Sequence, residues 1–234
     1  MNGKIIALRN RGFNLYREGA AINDASGRLA KYGLAKKEFN DAVQTYNDAR
    51  TLLKNAPAAT DPKDQTFRVA VTHDLLASIA EVYRLLAVTQ IDTSQVEQTG
   101  PVYEEFIASD KDPAVKLKAR QNLGDIYRAA GNFEKAIETY KLVLEAAPDN
   151  QEVMAMIGLC YVGLGTSVDP MNKEQLQEGL NYMDKYAQNV QILDTDTPTV
   201  KEFKQSVKDT VVFLKEEQKL KSQKPAAPAG RRKN

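Results

Sequence analysis

The chain holds one histidine, His73, and one cysteine, Cys160. A lone histidine cannot gather a His-based metal cluster and a lone cysteine cannot close an internal disulfide. Zinc, redox and His-dependent triad chemistry therefore find little support in composition. Cys160 lies between Leu159 and Tyr161 with no basic neighbour in sequence. It reads as a small inward side chain packing in a core, not as an activated thiol. His73 reads as a surface or interhelical residue at the head of a helix. Glu104–Glu105 and Glu216–Glu217 read as solvated faces. No phosphate-cradling glycine loop, serine elbow or metal-ligand spacing occurs. No catalytic, cofactor-binding or metal-binding residue is assigned. What remains is recognition by charge and ring: Glu81 with Arg84, and Asp125 with Arg128, are i, i+3 pairs. Such pairs stabilise a helix by about 0.2–0.5 kcal/mol each.

The elements that must position these groups are helices, and they repeat. LGDIYRAAG at 123–131 returns as IGLCYVGLG at 157–165, and appears earlier as IAEVYRLLA at 79–87. A more degenerate copy, RGFNLYREG, occupies 11–19. A small residue stands second in each copy: Gly12, Ala80, Gly124 and Gly158. With 3.6 residues per turn, a small residue and an aromatic three or four places on mark one face, where a neighbouring helix comes close. The second half of the unit is clearest in GNFEKAIETYKLVLEAAPDN, where Ala136, Tyr140 and Val143 keep helical spacing. Gly131 breaks the preceding helix and Pro148 ends this one. Related second helices fall at Ala42, Tyr46 and Ala49; at Thr99, Tyr103 and Phe106; and at Gly179, Met183 and Tyr186.

This order of small residue, aromatic, glycine, alanine, aromatic and proline resembles the tetratricopeptide-repeat family, whose unit is about 34 residues of helix–turn–helix. The third unit, about Leu117 to Asn150, carries nearly the whole pattern, with Arg120 in place of the early tryptophan and Val143 in place of the later alanine. The other units depart by insertion. The first gains a long helix from about Arg28, with Leu29, Tyr32, Phe39, Val43 and Tyr46 in rough helical period, and Pro101 is expected to kink or restart the second helix of unit two. After Pro198, the residues Val200, Phe203, Val207, Val211 and Leu214 form one stripe of a closing helix. The expected fold is all-α: a right-handed superhelical solenoid of about four antiparallel helix pairs over 1–196, a capping helix over 197–221, and a basic Pro/Ala tail over 222–234. The tail, lacking apolar periodicity, is expected to be flexible in an isolated monomer.

The resemblance implies a non-catalytic scaffold that holds a peptide or helix in a concave groove made by the first helix of each unit. Carried onto this sequence, the outward groove positions are Phe13, Glu81, Asp125 and Leu159, and, three residues on, Tyr16, Arg84, Arg128 and Val162. Arg9 and Gln121 complete the expected partner-binding set. The groove would run from an aromatic and arginine end through a charged middle to an apolar end. The family's carboxylate clamp needs convergent Lys, Arg and Asn. Arg9, Asn10, Lys118 and Asn122 supply it only in part, and Glu81 and Asp125 would repel its ligand.

A net charge of +1 argues against nucleic acid as a partner. Its distribution is uneven: residues 1–56 carry 10 basic and 5 acidic groups, 57–200 carry 12 and 22, and 201–234 carry 10 and 4. Basic ends flanking an acidic middle give a second functional expectation, a structural subunit that joins a homopolymer or larger assembly through complementary ends. No apolar run approaches the roughly 20 residues of a membrane helix. The expected compartment is the cytoplasm if Met1 is the true start. It is the periplasm or exterior if the chain is a processed form, since the layout also resembles small exported bacterial proteins of this family.

Overall fold

In the computed structural model, residues 1–221 are described, and among them every regular element is helical. They fall into two compact units, 1–130 and 131 onward. The expectation for the tail at 222–234 lies outside the described residues.

The first unit contains α1 (Asn2–Ala20), α2 (Ala25–Asn55), α3 (Pro62–Val88), α4 (Val96–Ser109) and α5 (Pro113–Ala129). Local chemistry sets the helix starts. Asp24 caps α2 by accepting from the Gly27 amide at 2.6 Å, Asp61 caps α3 through the Lys63 and Asp64 amides, and Asp112 caps α5 through Ala114. Pro62 and Pro113 follow two of these caps, where a missing N–H costs nothing. Each such cap contributes about 1 kcal/mol. The core joins Ile5 and Leu8 of α1, Phe39 and Tyr46 of α2, and Leu76, Ile79, Val82 and Leu86 of α3. Helix α1 packs on α2 and α3, α3 on α4 and α5, and α4 on α5.

Within the first hairpin, glycines seven residues apart meet rings seven residues apart. A Cβ at Gly12 would lie 2.8 Å from Cε1 of Phe39, and one at Gly19 would lie 2.8 Å from Cε1 of Tyr32. In the second pair, the buried Tyr103 hydroxyl donates to the Ala80 carbonyl at 3.0 Å, so the small residue of α3 is read by the aromatic of α4.

The second unit contains α6 (Phe133–Ala146), α7 (Gln151–Thr166), α8 (Lys173–Asn189) and α9 (Pro198–Val212), the last running into a π-helical turn at Phe213–Glu217. Its hairpin α7–α8 is closer still. A Cβ at Gly158 would lie 2.7 Å from the Gly179 carbonyl and one at Gly179 would lie 2.9 Å from the Gly158 carbonyl, so backbone meets backbone. Val207, Val211 and Leu214 cover Leu176, Leu180 and Met183 of α8. Lys215 pairs with Asp184 of α8 and pins this cover, while Lys204 pairs with Asp196 at 2.6 Å and ties α9 to the loop before it. The Lys204 ammonium holds the Asp196 carboxyl below the usual carboxylate range, and the Leu193 amide adds to the effect.

Four expectations need correction. His73 does not head a helix: α3 begins eleven residues earlier at Pro62, and His73 sits inside it. Helix α4 neither restarts nor breaks at Pro101. A proline ring crowds the Cβ of the preceding residue, and here that residue is Gly100, which has none. Leu29 is 70% exposed and Val200 is 40% exposed, so neither belongs to the buried stripe of its helix.

Candidate functional site

The expected partner-binding residues fall on the first helix of each successive pair. Arg9, Phe13 and Tyr16 lie on α1, Glu81 and Arg84 on α3, and Gln121, Asp125 and Arg128 on α5. These three helices belong to one unit and adjoin in order, α1 against α3 and α3 against α5. The hydroxyl of Ser78 on α3 donates to Oδ1 of Asn2 on α1 at 2.7 Å, which ties the first two together.

At the α1 end, rings form a ladder. Phe13 stacks near Tyr16 with centroids 6.4 Å apart, and Tyr16 stacks on Tyr32 of α2 at 5.3 Å. Phe13, at the outer end, is 38% exposed, which presents an aromatic surface held from below. Beside it the Arg9 guanidinium donates to Oδ1 of Asn10 at 3.0 Å. Asn10 is neutral, so the charge of Arg9 stays available to a ligand.

The middle is more self-contained. Arg84 donates in bidentate fashion to Glu81, at 2.8 and 2.7 Å. That hydrogen bonding raises the Arg84 pKa, with smaller contributions from Tyr103 and Asp125, which places the α5 carboxylate in the same electrostatic neighbourhood. Burial raises the Tyr103 pKa, and Asn122 hydrogen-bonds to its side chain. Burial also pushes Tyr83 up to about 12. These hydroxyls serve packing as neutral donors. Gln121, Asp125 and Arg128 are each half-buried. Of the residues that would form part of a carboxylate clamp, Asn10 is engaged by Arg9 and Asn122 by Tyr103.

The apolar end expected at Leu159 and Val162 is not an open surface. Both pack against the core that α9 completes, and Val162 also lies where a Cβ on Gly179 would come within 2.6 Å of its Cγ2. His73 and Cys160 are likewise structural: His73 Nε2 lies 2.9 Å from Asp110 Oδ2 with its ring tilted on Phe106, and Cys160 is buried. Among the described residues no group of three or more metal-type ligands occurs, and no helix is long and apolar enough to cross a membrane.

Helical period places Tyr32 on the stripe of α2 but does not assign it to the α1 face, where it stacks under Tyr16. Its signal was present: Tyr32, Phe39 and Tyr46 recur every seven residues, as do Ile5, Gly12 and Gly19 on α1. An antiparallel pairing of those two series places Tyr32 next to Gly19 and under Tyr16.

The tetratricopeptide repeat family matches residues 117–150, the span of α5, its turn and α6. Residues 117–150 are therefore a tetratricopeptide repeat. A relative, the BBSome complex member BBS4 of Bos taurus, is 44% identical over 43 residues. That stretch is 18% of this chain and 8% of the bovine protein, so the two share one short segment of a much longer relative. No solved structure matches. The repeat supports a protein–protein interaction role, in a family that is generally non-catalytic.

Proposed function

We propose that this tetratricopeptide-repeat protein is a non-catalytic scaffold or adaptor that holds a peptide or helix of a partner protein along the adjoining faces of α1, α3 and α5. The contact set is Arg9, Phe13, Tyr16, Glu81, Arg84, Gln121, Asp125 and Arg128. The observation that carries this reading is the stacked ladder of Phe13, Tyr16 and Tyr32, whose outer ring is exposed while the inner two are held between α1 and α2. Rigid aromatic surface beside an arginine is the composition of interface hot spots, because little side-chain entropy is lost on binding. The Glu81–Arg84 fork supplies a fixed polar edge further along.

Affinity purification with the intact chain and with the paired Phe13→Ala, Tyr16→Ala variant tests this. Partners retained by the intact chain should be lost by the variant and kept by Val212→Ala, a change at an exposed position on α9. Equal recovery with all three chains would remove the binding site from the α1 face.

A second reading, a structural subunit of a homopolymer or larger assembly, is favoured by the charge layout of basic ends and acidic middle. The similarity to a member of a multiprotein complex fits it as well.

A further inference from the structure

Two exposed helix faces carry charges that no ion pair among the described residues neutralises, and they are opposite in sign. On α1, Arg9, Phe13 and Arg17 recur every four residues and share one face. Among the described residues Arg17 is exposed and makes no ion pair, and Arg9 bonds to the neutral Asn10. The neighbouring cations are already matched: Arg11 pairs with Glu38 and Lys31 with Glu18. The uncompensated charge on this side of α1 is therefore that of Arg9 and Arg17, on either side of a part-exposed ring.

On α6 the opposite pattern occurs. Ala136, Ile137, Tyr140, Val143 and Leu144 are buried and anchor the helix. The outward face carries Glu138, Leu142 and Glu145, with Glu134 one turn before. All three glutamates are exposed, none makes an ion pair among the described residues, and Leu142 is 45% exposed. Lys141, on the same helix, is turned toward the Tyr161 hydroxyl at 3.2 Å. The spans agree as well. At 1.5 Å per residue, Arg9 to Arg17 covers about 12 Å and Glu138 to Glu145 about 10.5 Å.

We propose that the α1 strip of one copy docks on the α6 strip of a second copy, with Phe13 against Leu142 and Arg9 and Arg17 against Glu138 and Glu145. This rests on the reading of the outward α1 face as an interaction surface, and it names the partner at that end. The two patches are different surfaces, so the contact is heterologous: each copy keeps one free strip, and association continues unless a ring closes. Exposed charges are screened over about 8–10 Å at physiological salt, so association weakens as salt rises. The ring–leucine contact is the part that salt does not remove.

Sedimentation equilibrium of the full chain over a concentration series, at low and high salt, tests the contact. The intact chain should show mass rising with concentration, most strongly at low salt. Arg9→Glu with Arg17→Glu should weaken self-association about tenfold or more, as should Glu138→Arg with Glu145→Arg. An equimolar mixture of the two variants should regain it, because each supplies the strip the other has lost. The four-substitution chain, with both strips reversed, should also self-associate. All four sites lie on helix surfaces, and circular dichroism checks that the fold survives. Should a reversal unfold the chain, Arg17→Gln and Glu138→Gln serve as the milder pair. A chain monomeric at every concentration and salt overturns the proposal, as does a mixture that fails to recover mass. If the chain is monomeric yet Phe13→Ala, Tyr16→Ala still loses a captured partner, self-docking falls and the scaffold reading stands. If mass recovers on mixing but the ring variant loses no other protein, the α1 face serves self-docking alone.

Discussion

The first hairpin, α1–α2, and the last, α7–α8, use glycine for the same purpose and reach different degrees of commitment. In α1–α2 each glycine admits the edge of a ring, Phe39 over Gly12 and Tyr32 over Gly19. In α7–α8 the glycines admit each other's backbone, with Gly158 and Gly179 facing carbonyl to Cα. A ring can pivot by a few tenths of an ångström about its χ angles, whereas a helix backbone moves only by displacing the whole helix. The last hairpin is therefore the less tolerant of added atoms, and it is also the one roofed by α9. The first keeps a ring ladder open at its surface. Within one chain, the tighter hairpin closes its apolar face and the looser one presents an aromatic edge.

The largest effect that would break or sharpen this contrast is expected from Gly158→Ala. A methyl there meets Met183 and the Gly179 carbonyl together, so the helices must part, at a cost of about 3 kcal/mol or more. Differential scanning calorimetry should record a melting temperature lower by about 6–12 °C. Gly12→Ala meets only the Phe39 ring. Part of its strain is offset by the better helix propensity of alanine, leaving about 1–2 kcal/mol in the same measurement. Equal losses for the two variants would abolish the distinction between ring and backbone contacts. Gly33, in the third turn of α2, has nothing within 4 Å of a Cβ. Gly33→Ala should therefore stabilise by about 0.5–1 kcal/mol, seen as a higher denaturant midpoint.

The smallest effect concerns acid. Asp196 is held below its usual value first by the Lys204 hydrogen bond and then by the Leu193 amide. An unfolded aspartate titrates near about pH 3.9, so this contribution is complete above that pH and is lost as pH falls through the lower folded value. Hydrogen exchange below about pH 4 should show amides of α9 opening before those of α2. Asp196→Asn should remove the pH dependence of that opening.

Much of this was legible in residues. The repeat at 117–150 could be bounded from Gly124, Gly131, Ala136 and Pro148 alone, because small residues at helix contacts and breakers at helix ends are local signals. The pairing of Gly158 with Gly179 was legible for the same reason. The true start of α3 was not read from periodicity, because its first turns expose Phe67 and Val69 and bury little. The aspartate–proline step at 61–62 was the usable signal there, and it recurs at 112–113. Leu29 misled because an exposed leucine on a long helix counts toward apolar period without facing a core. The half-buried state of Leu159 and Val162 was out of reach, since it depends on a core that joins α7, α8 and α9 across separate segments. Lys36 with the buried Asp92, and His73 with Asp110, likewise join residues far apart in sequence.

The central claim is that the open aromatic edge of the first hairpin is where this protein engages a protein partner. Photo-crosslinking from a benzoyl-phenylalanine placed at position 13, compared with one placed at the exposed position 212 of α9, tests it most directly. Discrete protein adducts at 13, abolished by Tyr16→Ala and absent at 212, are the predicted result. Adducts of equal yield at both positions, or at 212 alone, would contradict it.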